Sequence, residues 1–511
     1  MAAKSETPTV RKRIPRSAAS GKAPAAPELR IEITESLIAE IGKFADSAGV
    51  RAYIVGGYVR DVYLGRPRTD FDFTIIGDPV EFAERLAERF YTKAVVYPRF
   101  RTALVPIGHF KCEFVGTRKE EYLPDSRKPI VSEGTLEDDL RRRDFTTNAM
   151  AAGVNSDNFG QVIDLFGGSE ALKDRLLDTP LDPITTFSED PLRMMRAARF
   201  ASQLSFAIAP RVTESIKQLH ERIKIISQER ITDEFMKIIA SPVPSIGITA
   251  LYEMGLLEHI LPELNAMAGV ERVVERGREH AHKDVLFHSL RVLDKVAEQS
   301  ENVWLRLAAL LHDVAKPRTK RFIEGTGWSF HGHEEIGARM MPKFFRRFKL
   351  PLEHEEYVER LIRLHQRPMV LVSEGVTDSA VRRLAFQAGD ALEDLFMLCR
   401  ADITTNHPKL TAKYLSNYDK VAEKVIDVQE RDKLRAFQSP VRGEEIMEVC
   451  AIEPSRAVGY IKTHIEEAIL DGLIPNEYEA AREYFLTHKD VWLVEAEELF
   501  ARGRGKKDKE S

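Results

Sequence analysis

Two aspartates lie two positions apart in Asp70–Ile76, a segment with the apolar alternation of a β-strand. Because side chains alternate between the faces of a strand, Asp70 and Asp72 are expected on one face, with Phe71 and Phe73 in the core. Neighbouring carboxylates repel each other, and a divalent cation that prefers hard oxygen ligands, such as Mg²⁺, relieves that repulsion. A solvated strand edge is the alternative interpretation, and it is favoured for an isolated Asp-x-Asp pair.

A third acid lies on a second predicted strand. Glu113 belongs to the β-like run at residues 111–116 and could hold two ions together with Asp70 and Asp72. Two ions held this way serve phosphoryl transfer, because one lowers the pKa of an attacking 3′-hydroxyl and the other neutralises a leaving pyrophosphate. The three acids are therefore the predicted catalytic residues, with Mg²⁺ as the cofactor.

A glycine pair precedes the acidic strand. Gly56 and Gly57 follow the predicted strand Arg51–Val55 and open a predicted helix. Glycines let backbone N–H groups approach a triphosphate, which the positive end of a helix also attracts. A glycine pair alone more often marks only a turn, but its strand–helix–strand spacing from Asp70 favours nucleotide binding.

Residues 54–75 resemble the head motif of the class II tRNA nucleotidyltransferase and poly(A) polymerase family. Four later stretches resemble further motifs of that family. Residues 142–149 resemble the motif that contacts ribose and triphosphate, and residues 162–168 resemble the flexible spring between head and neck. Residues 188–193 resemble the motif that selects the nucleobase, and residues 228–231 resemble the motif that stabilises the neck helix. The joint match is far more specific than any single stretch. The resemblance implies an α/β nucleotidyltransferase head, a small mixed sheet with helices, followed by a long all-α body. It also implies tRNA, CTP and ATP as partners.

Asp190 and Arg193 lie three positions apart at a predicted helix start and should project from one face. An Asp accepts a hydrogen bond from the exocyclic amine of cytosine or adenine, and an Arg donates to the ring nitrogen beside it. Uracil and guanine present the reverse pattern, so such a pair would select C and A without a template. A helix-surface ion pair worth less than about 1 kcal/mol is the alternative.

The other predicted nucleotide-binding residues are basic or polar. Arg143 is expected to hold phosphate oxygens and Asp144 to accept from a ribose hydroxyl, with an exposed basic turn as the alternative. The set is completed by Arg60, Asn148, Arg196 and Arg199. The last two would either steady the site or contact phosphate.

An ordered series of histidines and aspartates lies downstream and resembles an HD phosphohydrolase domain. The resemblance implies that a divalent metal of unspecified identity is bound by His288, His312, Asp313 and Asp402. Imidazole and carboxylate groups suit such an ion and could support hydrolysis of a phosphate ester. Three side chains could assist or line the same pocket: Lys316, His331 and His333. For any single histidine, packing or capping is the alternative.

The predicted catalytic acids must be positioned by a small sheet, and the base-selecting and HD residues by helices. Residues 117–137 are predicted to form a long mobile loop, and only helices are expected from about Asp190 onward. The predicted divisions are a disordered basic tail at 1–28, a nucleotidyltransferase head at 29–178, a helical neck for nucleobase selection and RNA binding at 179–268, an HD-type domain at 269–410, a helical tRNA-binding tail at 411–502 and a disordered end at 503–511.

Composition sets broad limits on the function. The chain has 511 residues, a formal net charge of −5 and three cysteines. The length predicts two to four domains, while the charge neither requires nor excludes RNA, since binding depends on local basic surface. No apolar run is long enough to span a membrane, so no membrane partner is expected. Few, widely spaced cysteines argue against a disulfide framework and favour the cytoplasm.

Three functions are compatible with these patterns. The resemblance favours template-independent addition of C and A to the tRNA 3′ end. It also implies that the long segment 117–137 favours CCA or CC addition over addition of adenine alone. A poly(A) polymerase would use the same site on another RNA. An HD phosphohydrolase with a merely RNA-binding head is the alternative from a different class, and the intact head acids argue against it.

Overall fold

The computed structural model describes residues 29–67, 70–98, 101–121, 130–275, 278–374, 377–404, 407–432 and 439–507. It divides into two compact units. The first contains residues up to 174 together with 178–181, and the second contains residues 175–177 together with 182 onward. The predicted tail at 1–28 lies outside the described residues, and the finer domain boundaries stay predictions.

The first unit is built on a mixed sheet. Its strands are β1 (Arg51–Val55), β2 (Asp70–Ile76), β3 (Val95–Tyr97), β4 (Thr102–Ile107), β5 (Phe110–Gly116), β6 (Arg118–Glu121), β7 (Ile130–Glu133), β8 (Met150–Gly153) and β9 (Val162–Asp164). Seven of them form one sheet in the order β3-β4-β5-β2-β1-β8-β9. β2 and β5 run parallel, and the other neighbours in this sheet run antiparallel. The mixed α/β head is therefore confirmed.

Aromatic packing fixes which face of the central strands is buried. The helices of this unit are α1 (Ser36–Ser47), α2 (Gly57–Tyr63), α3 (Pro79–Arg89), α4 (Leu136–Arg141) and α5 (Gly168–Lys173), with a 3-10 turn at Thr146–Asn148. Phe73 of β2 stacks on Phe114 of β5 with ring centroids 5.0 Å apart, and Phe82 of α3 lies 5.5 Å from Phe114. Because these rings occupy the core face, the acids between them face outward.

The prediction of an unstructured loop at 117–137 is wrong at both of its ends. β6 and β7 pair as an antiparallel hairpin in which Arg118 is opposite Glu133, and α4 begins at Leu136. The pairing rests on backbone hydrogen bonds, which form whatever the side chains are. The side chains here are mostly polar, so the segment lacks the apolar alternation by which a strand is recognised in sequence. Residues 122–129 of this segment lie outside the described residues.

The second unit is mainly helical. Its helices are α6 (Pro183–Glu189), α7 (Leu192–Leu204), α8 (Pro210–Leu219), α9 (Gln228–Ile239), α10 (Pro244–Glu253), α11 (Leu257–Ile260), α12 (Pro262–Asn265), α13 (Val285–Ala297), α14 (Val303–Leu311), α15 (Lys316–Thr319), α16 (His333–Phe348), α17 (Glu355–Leu364), α18 (Arg367–Glu374), α19 (Asp378–Ala388), α20 (Leu392–Asp402), α21 (Pro408–Asp432), α22 (Gly443–Cys450), α23 (Arg456–Leu470) and α24 (Tyr478–Lys507). The last helix reaches into the predicted disordered end, of which only 508–511 lie outside the described residues.

The expectation of helices alone beyond Asp190 is wrong in detail. A short parallel pair joins β10 (Leu176–Leu177) to β11 (Ala207–Ile208), and two antiparallel hairpins are formed by β12 (Arg272–Glu275) with β13 (Arg278–Ala281) and by β14 (Arg321–Ile323) with β15 (Gly327–Ser329). Strands of two to four residues are too short for a recognisable alternation.

Two further expectations concern membranes and cysteines. Among the helices in the described part of the chain, none is both long and apolar enough to cross a membrane. Cys112, Cys399 and Cys450 are all free, as the absence of a disulfide framework requires.

Candidate active site and metal centre

Strand register brings the head acids together. In the parallel pairing of β2 with β5, Asp72 lies directly opposite Glu113, and Asp70 lies opposite Lys111. Asp70, Asp72 and Glu113 are exposed, while Phe71 between the two aspartates is fully buried. The structure thus places the three predicted acids on one face, which the period-two argument anticipated.

The electrostatics of this face suit a cation. Partial withdrawal from water raises the pKa of Asp72, and the charge of Asp70 adds to the effect, although Arg143 opposes it. Withdrawal from water followed by repulsion from Asp72 likewise raises the pKa of Glu113. Hard carboxylate oxygens that repel each other are a donor set that fits Mg²⁺.

Gly56 needs to be a glycine because of its conformation and its neighbour. Its φ of +64° is unfavourable for other residues. A Cβ at this position would lie 2.7 Å from Nη1 of Arg143. The missing side chain therefore lets the Arg143 guanidinium approach the backbone where β1 runs into α2.

A hydrogen-bond network fixes the polar residues behind this turn. Arg60 binds Asp61 through two contacts of 2.9 Å and donates from Nη1 to Asn148 Oδ1 at 2.8 Å. Asn148 donates to Asp144 Oδ1 at 3.1 Å, and the same oxygen accepts from the Phe145 backbone N–H at 2.9 Å. Asp144 and Asn148 are buried. Their contacts with ribose stay predictions, and their observed role is to order the turn.

The sequence analysis missed Asp139, a carboxylate that is only 1 % exposed. It pairs with Arg142 Nη2 at 2.5 Å and with Arg143 Nη2 at 3.2 Å, and it accepts from Thr74 Oγ1 at 3.2 Å. Asp139 thus fixes Arg143 relative to β2. The sequence contained a signal for this pairing, because Asp139 precedes Arg142 by three positions and Arg143 by four, and side chains at these spacings are neighbours on a helix.

Replacing Asp139 with Ala should destabilise the head by about 3–5 kcal/mol, because Arg142 and Arg143 would lose a buried counter-charge. Burial raises the pKa of Asp139, but the two arginines outweigh it and the net pKa is lowered. A lowered carboxyl pKa stabilises the fold above the unfolded value of about 3.9, and this stabilisation is lost as the pH falls through the folded value. Urea unfolding should therefore show a smaller difference in the free energy of unfolding between wild type and variant at pH 3 than at pH 7.

The matched control is Asp157→Ala. Asp157 forms a similar two-contact pair with Arg51 at 2.5 and 2.7 Å, but on the exposed surface. Its loss should change the unfolding free energy far less than the loss of Asp139. An Asp139→Ala penalty that is equal at the two pH values would contradict the assignment.

In the second unit, the predicted nucleobase residues lie at the start of α7. Asp190 accepts from the Leu192 N–H at 3.1 Å and from Arg230 Nη2 at 3.1 Å. Arg193 pairs with Glu189 at 3.2 Å. Both side chains are therefore held by neighbours, and their relation to the head acids stays a prediction.

The two later arginines of α7 take different positions. Arg199 Nε lies 2.7 Å from Glu234 Oε2 of α9, and both side chains are nearly buried. Its guanidinium also lies 4.2 Å from the Phe200 ring centroid, and that of Arg196 lies 5.4 Å from the same ring. This geometry favours the steadying role for Arg199, since its charge joins α7 to α9.

The predicted HD residues converge, although they come from three helical segments. His288 lies on α13, His312 and Asp313 directly follow α14, and Asp402 ends α20. His288 Nε2 is 2.8 Å from Asp402 Oδ1, and His312 Nε2 is 3.6 Å from the same oxygen. Asp313 Oδ2 lies 3.3 Å from His312 Nε2 and 3.6 Å from His288 Nε2.

Two more histidines join this cluster. His333 Nε2 lies 3.1 Å from Asp313 Oδ1, and His365 Nε2 lies 3.9 Å from it. The Nδ1 atoms of His312, His333 and His365 each contact a backbone carbonyl oxygen, at 2.8, 2.9 and 2.6 Å. These contacts leave the Nε2 atoms facing inward, as metal ligands require. His365 is buried in the cluster, whereas His331, which was expected to line the same pocket, is exposed.

Two buried atoms point to a bound cation. Among the described residues, neither His312 Nε2 nor Asp313 Oδ1 makes a hydrogen bond of acceptable geometry. Leaving such atoms unsatisfied costs about 1–3 kcal/mol each. A metal ion ligated by these nitrogen and oxygen atoms would satisfy both, so the donor set fits a divalent transition metal.

The charges in the cluster follow from its burial. Burial lowers the pKa of His312, but Asp313 and then Asp402 outweigh it and raise the pKa to about 10. Burial and the positive charge of His312 lower the pKa of His365 to about 4. Without a metal, the two aspartates therefore favour a protonated His312, whereas burial favours a neutral His365.

A cavity of about 660 Å³ opens onto His288, Asp313 and Asp402. Besides these, its wall includes His282, Lys283, Lys316, Trp328, Tyr414 and Tyr418. Lys316 Nζ contacts Asp313 Oδ2 at 2.6 Å, so its ammonium lies beside the predicted metal ligands. Ala281 of β13 and Trp328 of β15 also line the cavity, and they come from the two hairpins, which sequence reasoning did not predict.

Three family models match consecutive parts of the chain. "Poly A polymerase head domain" matches residues 52–178, "Probable RNA and SrmB- binding site of polymerase A" matches 205–267, and "HD domain" matches 285–406. The first covers the head acids and the glycine pair, and the third covers His288, His312, Asp313 and Asp402.

Curated relatives align over most of their length. The "Multifunctional CCA protein" of Methylococcus capsulatus is 32 % identical over 366 residues, which are 69 % of this chain and 81 % of the relative. The "A-adding tRNA nucleotidyltransferase" of Deinococcus radiodurans is 31 % identical over 438 residues, which are 84 % of this chain and 94 % of the relative.

Solved structures share the fold. The chain matches a "tRNA-processing enzyme (apo form I)" with a TM-score of 0.54 and 25 % identity, covering 83 % of this chain and 97 % of that one. It matches "The structure of CCA-adding enzyme apo form II" with a TM-score of 0.59 and 21 % identity, covering 88 % and 95 %. The chain therefore belongs to the tRNA nucleotidyltransferase and poly(A) polymerase family, as a nucleotidyltransferase with an HD domain in its helical body.

Proposed function

We propose that this protein adds C and A, taken from CTP and ATP, to the 3′ end of tRNA without a nucleic-acid template. The observation that carries the proposal is the pairing of Asp72 with Glu113 across β2 and β5, next to the turn where Gly56 admits Arg143. The names of the relatives support tRNA as the RNA substrate.

In the proposed mechanism, Asp70 and Asp72 hold Mg²⁺ on the exposed face of β2, and Glu113 completes the carboxylate set. When bound, Mg²⁺ would lower the pKa of the attacking 3′-hydroxyl and balance the charge of the leaving pyrophosphate. Arg143, fixed by Asp139, would bind phosphate oxygens, and the backbone at Gly56 would let the phosphates approach.

Base selection is assigned to Asp190 and Arg193. The carboxylate would accept from the exocyclic amine of C or A, and the guanidinium would donate to the adjacent ring nitrogen. Arg230 and Glu189 hold these two side chains in place, which lowers the cost of ordering them around a base. Basic side chains of the helical body would bind tRNA phosphates.

The HD centre is proposed as a separate phosphohydrolase site. Its ligands would be His288, His312, Asp313 and Asp402, and Lys316, which lines the cavity, would bind a phosphate there. When bound there, a divalent metal would act as a Lewis acid toward a phosphate ester. The orphaned atoms of His312 and Asp313 are the observation that supports a metal in this place.

The decisive experiment incubates the purified protein with a tRNA lacking its terminal CCA and with labelled CTP or ATP, separately and together. Two C residues followed by A support the proposal. Extension with A only, on a tRNA that already ends in CC, would instead support the A-adding function that one relative's name carries. ATP-only extension of arbitrary RNA would mean a poly(A) polymerase.

Asp190→Asn should lower kcat/KM for CTP and ATP by about 10–100-fold and raise the relative use of UTP, because an amide donates where a carboxylate accepts. Asn still accepts from the Leu192 N–H, so the start of α7 is kept. The measurement is single-nucleotide incorporation with each of the four triphosphates. Asp182→Asn is the control, since Asp182 caps α6 in the same way at 2.8 Å from the Ile184 N–H. An unchanged nucleotide preference in Asp190→Asn would refute base selection by this residue.

A further inference from the structure

A third group of metal-ligating side chains lies in the second unit, apart from the HD residues and from α7. His220 begins the 3-10 turn His220–Ile225 after α8, and Glu258 and His259 belong to α11. The three ligand atoms of this neck site, defined as His220, Glu258 and His259, lie within 4.8 Å of one another.

The distances within the neck site match those between ligands of one ion. His220 Nδ1 is 2.8 Å from His259 Nε2, and Glu258 Oε1 is 3.2 Å from His259 Nε2 and 3.5 Å from His220 Nδ1. Around a tetrahedral Zn²⁺ with bonds of about 2.0–2.1 Å, ligand atoms are about 3.3–3.4 Å apart. A single ion can therefore contact all three atoms after small side-chain rotations.

The surroundings keep these imidazoles close together and available. The two rings are nearly parallel, with an interplanar angle of 16°, and one nitrogen of each lies within hydrogen-bond distance of the other. A Cβ on Gly255, whose φ is +78°, would lie 3.2 Å from His220 Nδ1.

We propose that the neck site binds one Zn²⁺-like transition-metal ion through two imidazoles and one carboxylate, with water in the fourth position. Two nitrogens and one oxygen are a zinc donor set, whereas Mg²⁺ prefers oxygen alone. The ion replaces the hydrogen bond between His220 and His259 and joins the 3-10 turn to α11. The same turn carries Arg222, which donates to the Ser188 carbonyl at 2.9 Å, so the bound ion also steadies the end of α6.

The test uses the full-length protein with the HD centre disabled by Asp313→Asn and Asp402→Asn, stripped of metal and titrated with Co²⁺. We expect one equivalent of Co²⁺ with the intense visible absorption of a tetrahedral site, displaced by Zn²⁺. His220→Gln with His259→Gln should weaken binding at least about 100-fold. His354→Gln is the control, because His354 contacts Glu353 at 3.3 Å in a similar exposed His–Glu pair.

A second variant protects the test against misfolding. Glu258 has a side chain that is 48 % exposed, so Glu258→Gln should fold normally by circular dichroism and yet weaken Co²⁺ binding by at least about tenfold. Addition of Zn²⁺ should raise the Tm of the parent and not that of the histidine variant. Failure of the parent to bind Co²⁺, or unchanged affinity in Glu258→Gln, would overturn the proposal.

Discussion

Asp72→Asn should lower the rate of nucleotide addition about 10³-fold. The carboxylate lies opposite Glu113 in the sheet register, where a cation can be shared between two strands. Replacing its charge with an amide removes a hard ligand, and several kcal/mol of transition-state stabilisation depend on that ion. About 4 kcal/mol corresponds to a factor of about 10³ in rate.

The same substitution should not destabilise the head. The pKa of Asp72 is raised, so its ionised form is less favourable in the folded protein than in the unfolded chain. An aspartate with a raised folded pKa opposes folding at neutral pH and ceases to do so as the pH falls. Asn is uncharged at every pH, so the Tm of the variant at pH 7 should equal or exceed that of wild type.

This combination separates chemistry from folding. Single-turnover addition of labelled nucleotide to tRNA measures the rate, and thermal unfolding in metal-free buffer measures stability. Glu84→Gln is the control, because Glu84 is an exposed acid on α3 outside the site. Full activity in Asp72→Asn would eliminate the metal assignment, and a large fall in Tm would mean that the carboxylate is structural.

The acids could be predicted from sequence because a strand has a period of two and buried aromatic neighbours. Phe71 and Phe73 fix the inward face, so the outward position of Asp70 and Asp72 follows locally. The partnership with Glu113 is different, since it depends on a parallel pairing of strands that are 41 positions apart between Asp72 and Glu113. Sequence order alone suggested that pairing, and only the register establishes it.

Other parts of the site depend on non-local packing. Asp139 pairs with two arginines from a buried position, and a charged side chain would be expected on the surface from its type alone. The two hairpins that contribute Ala281 and Trp328 to the cavity wall have strands too short to be recognised by periodicity. The convergence of the HD candidates could be predicted because the order of residue types is itself distinctive, while the inward direction of their Nε2 atoms depends on the folded structure.

Asp313→Asn should abolish tight metal binding at the HD centre, with a loss of affinity of at least about 100-fold. Oδ2 of Asp313 lies 3.3 Å from His312 Nε2 and 2.6 Å from Lys316 Nζ, while Oδ1 faces His333 at 3.1 Å. The carboxylate is thus central to the donor set, and an amide nitrogen cannot replace either oxygen as a ligand. Hydrolysis of p-nitrophenyl phosphate should fall with the bound metal, whereas nucleotide addition by the head should continue.

The measurement is Mn²⁺ binding followed by electron paramagnetic resonance, in a background with Asp70→Asn and Asp72→Asn so that the head contributes no signal. Asp402→Asn should reproduce the loss, because His288 and His312 both contact its Oδ1. Glu393→Gln, an exposed acid on the same helix α20, should bind Mn²⁺ as the parent does. If Asp313→Asn keeps the parent's affinity, the orphaned Oδ1 is not a metal ligand, and the buried cluster would have to be stabilised by its protons alone.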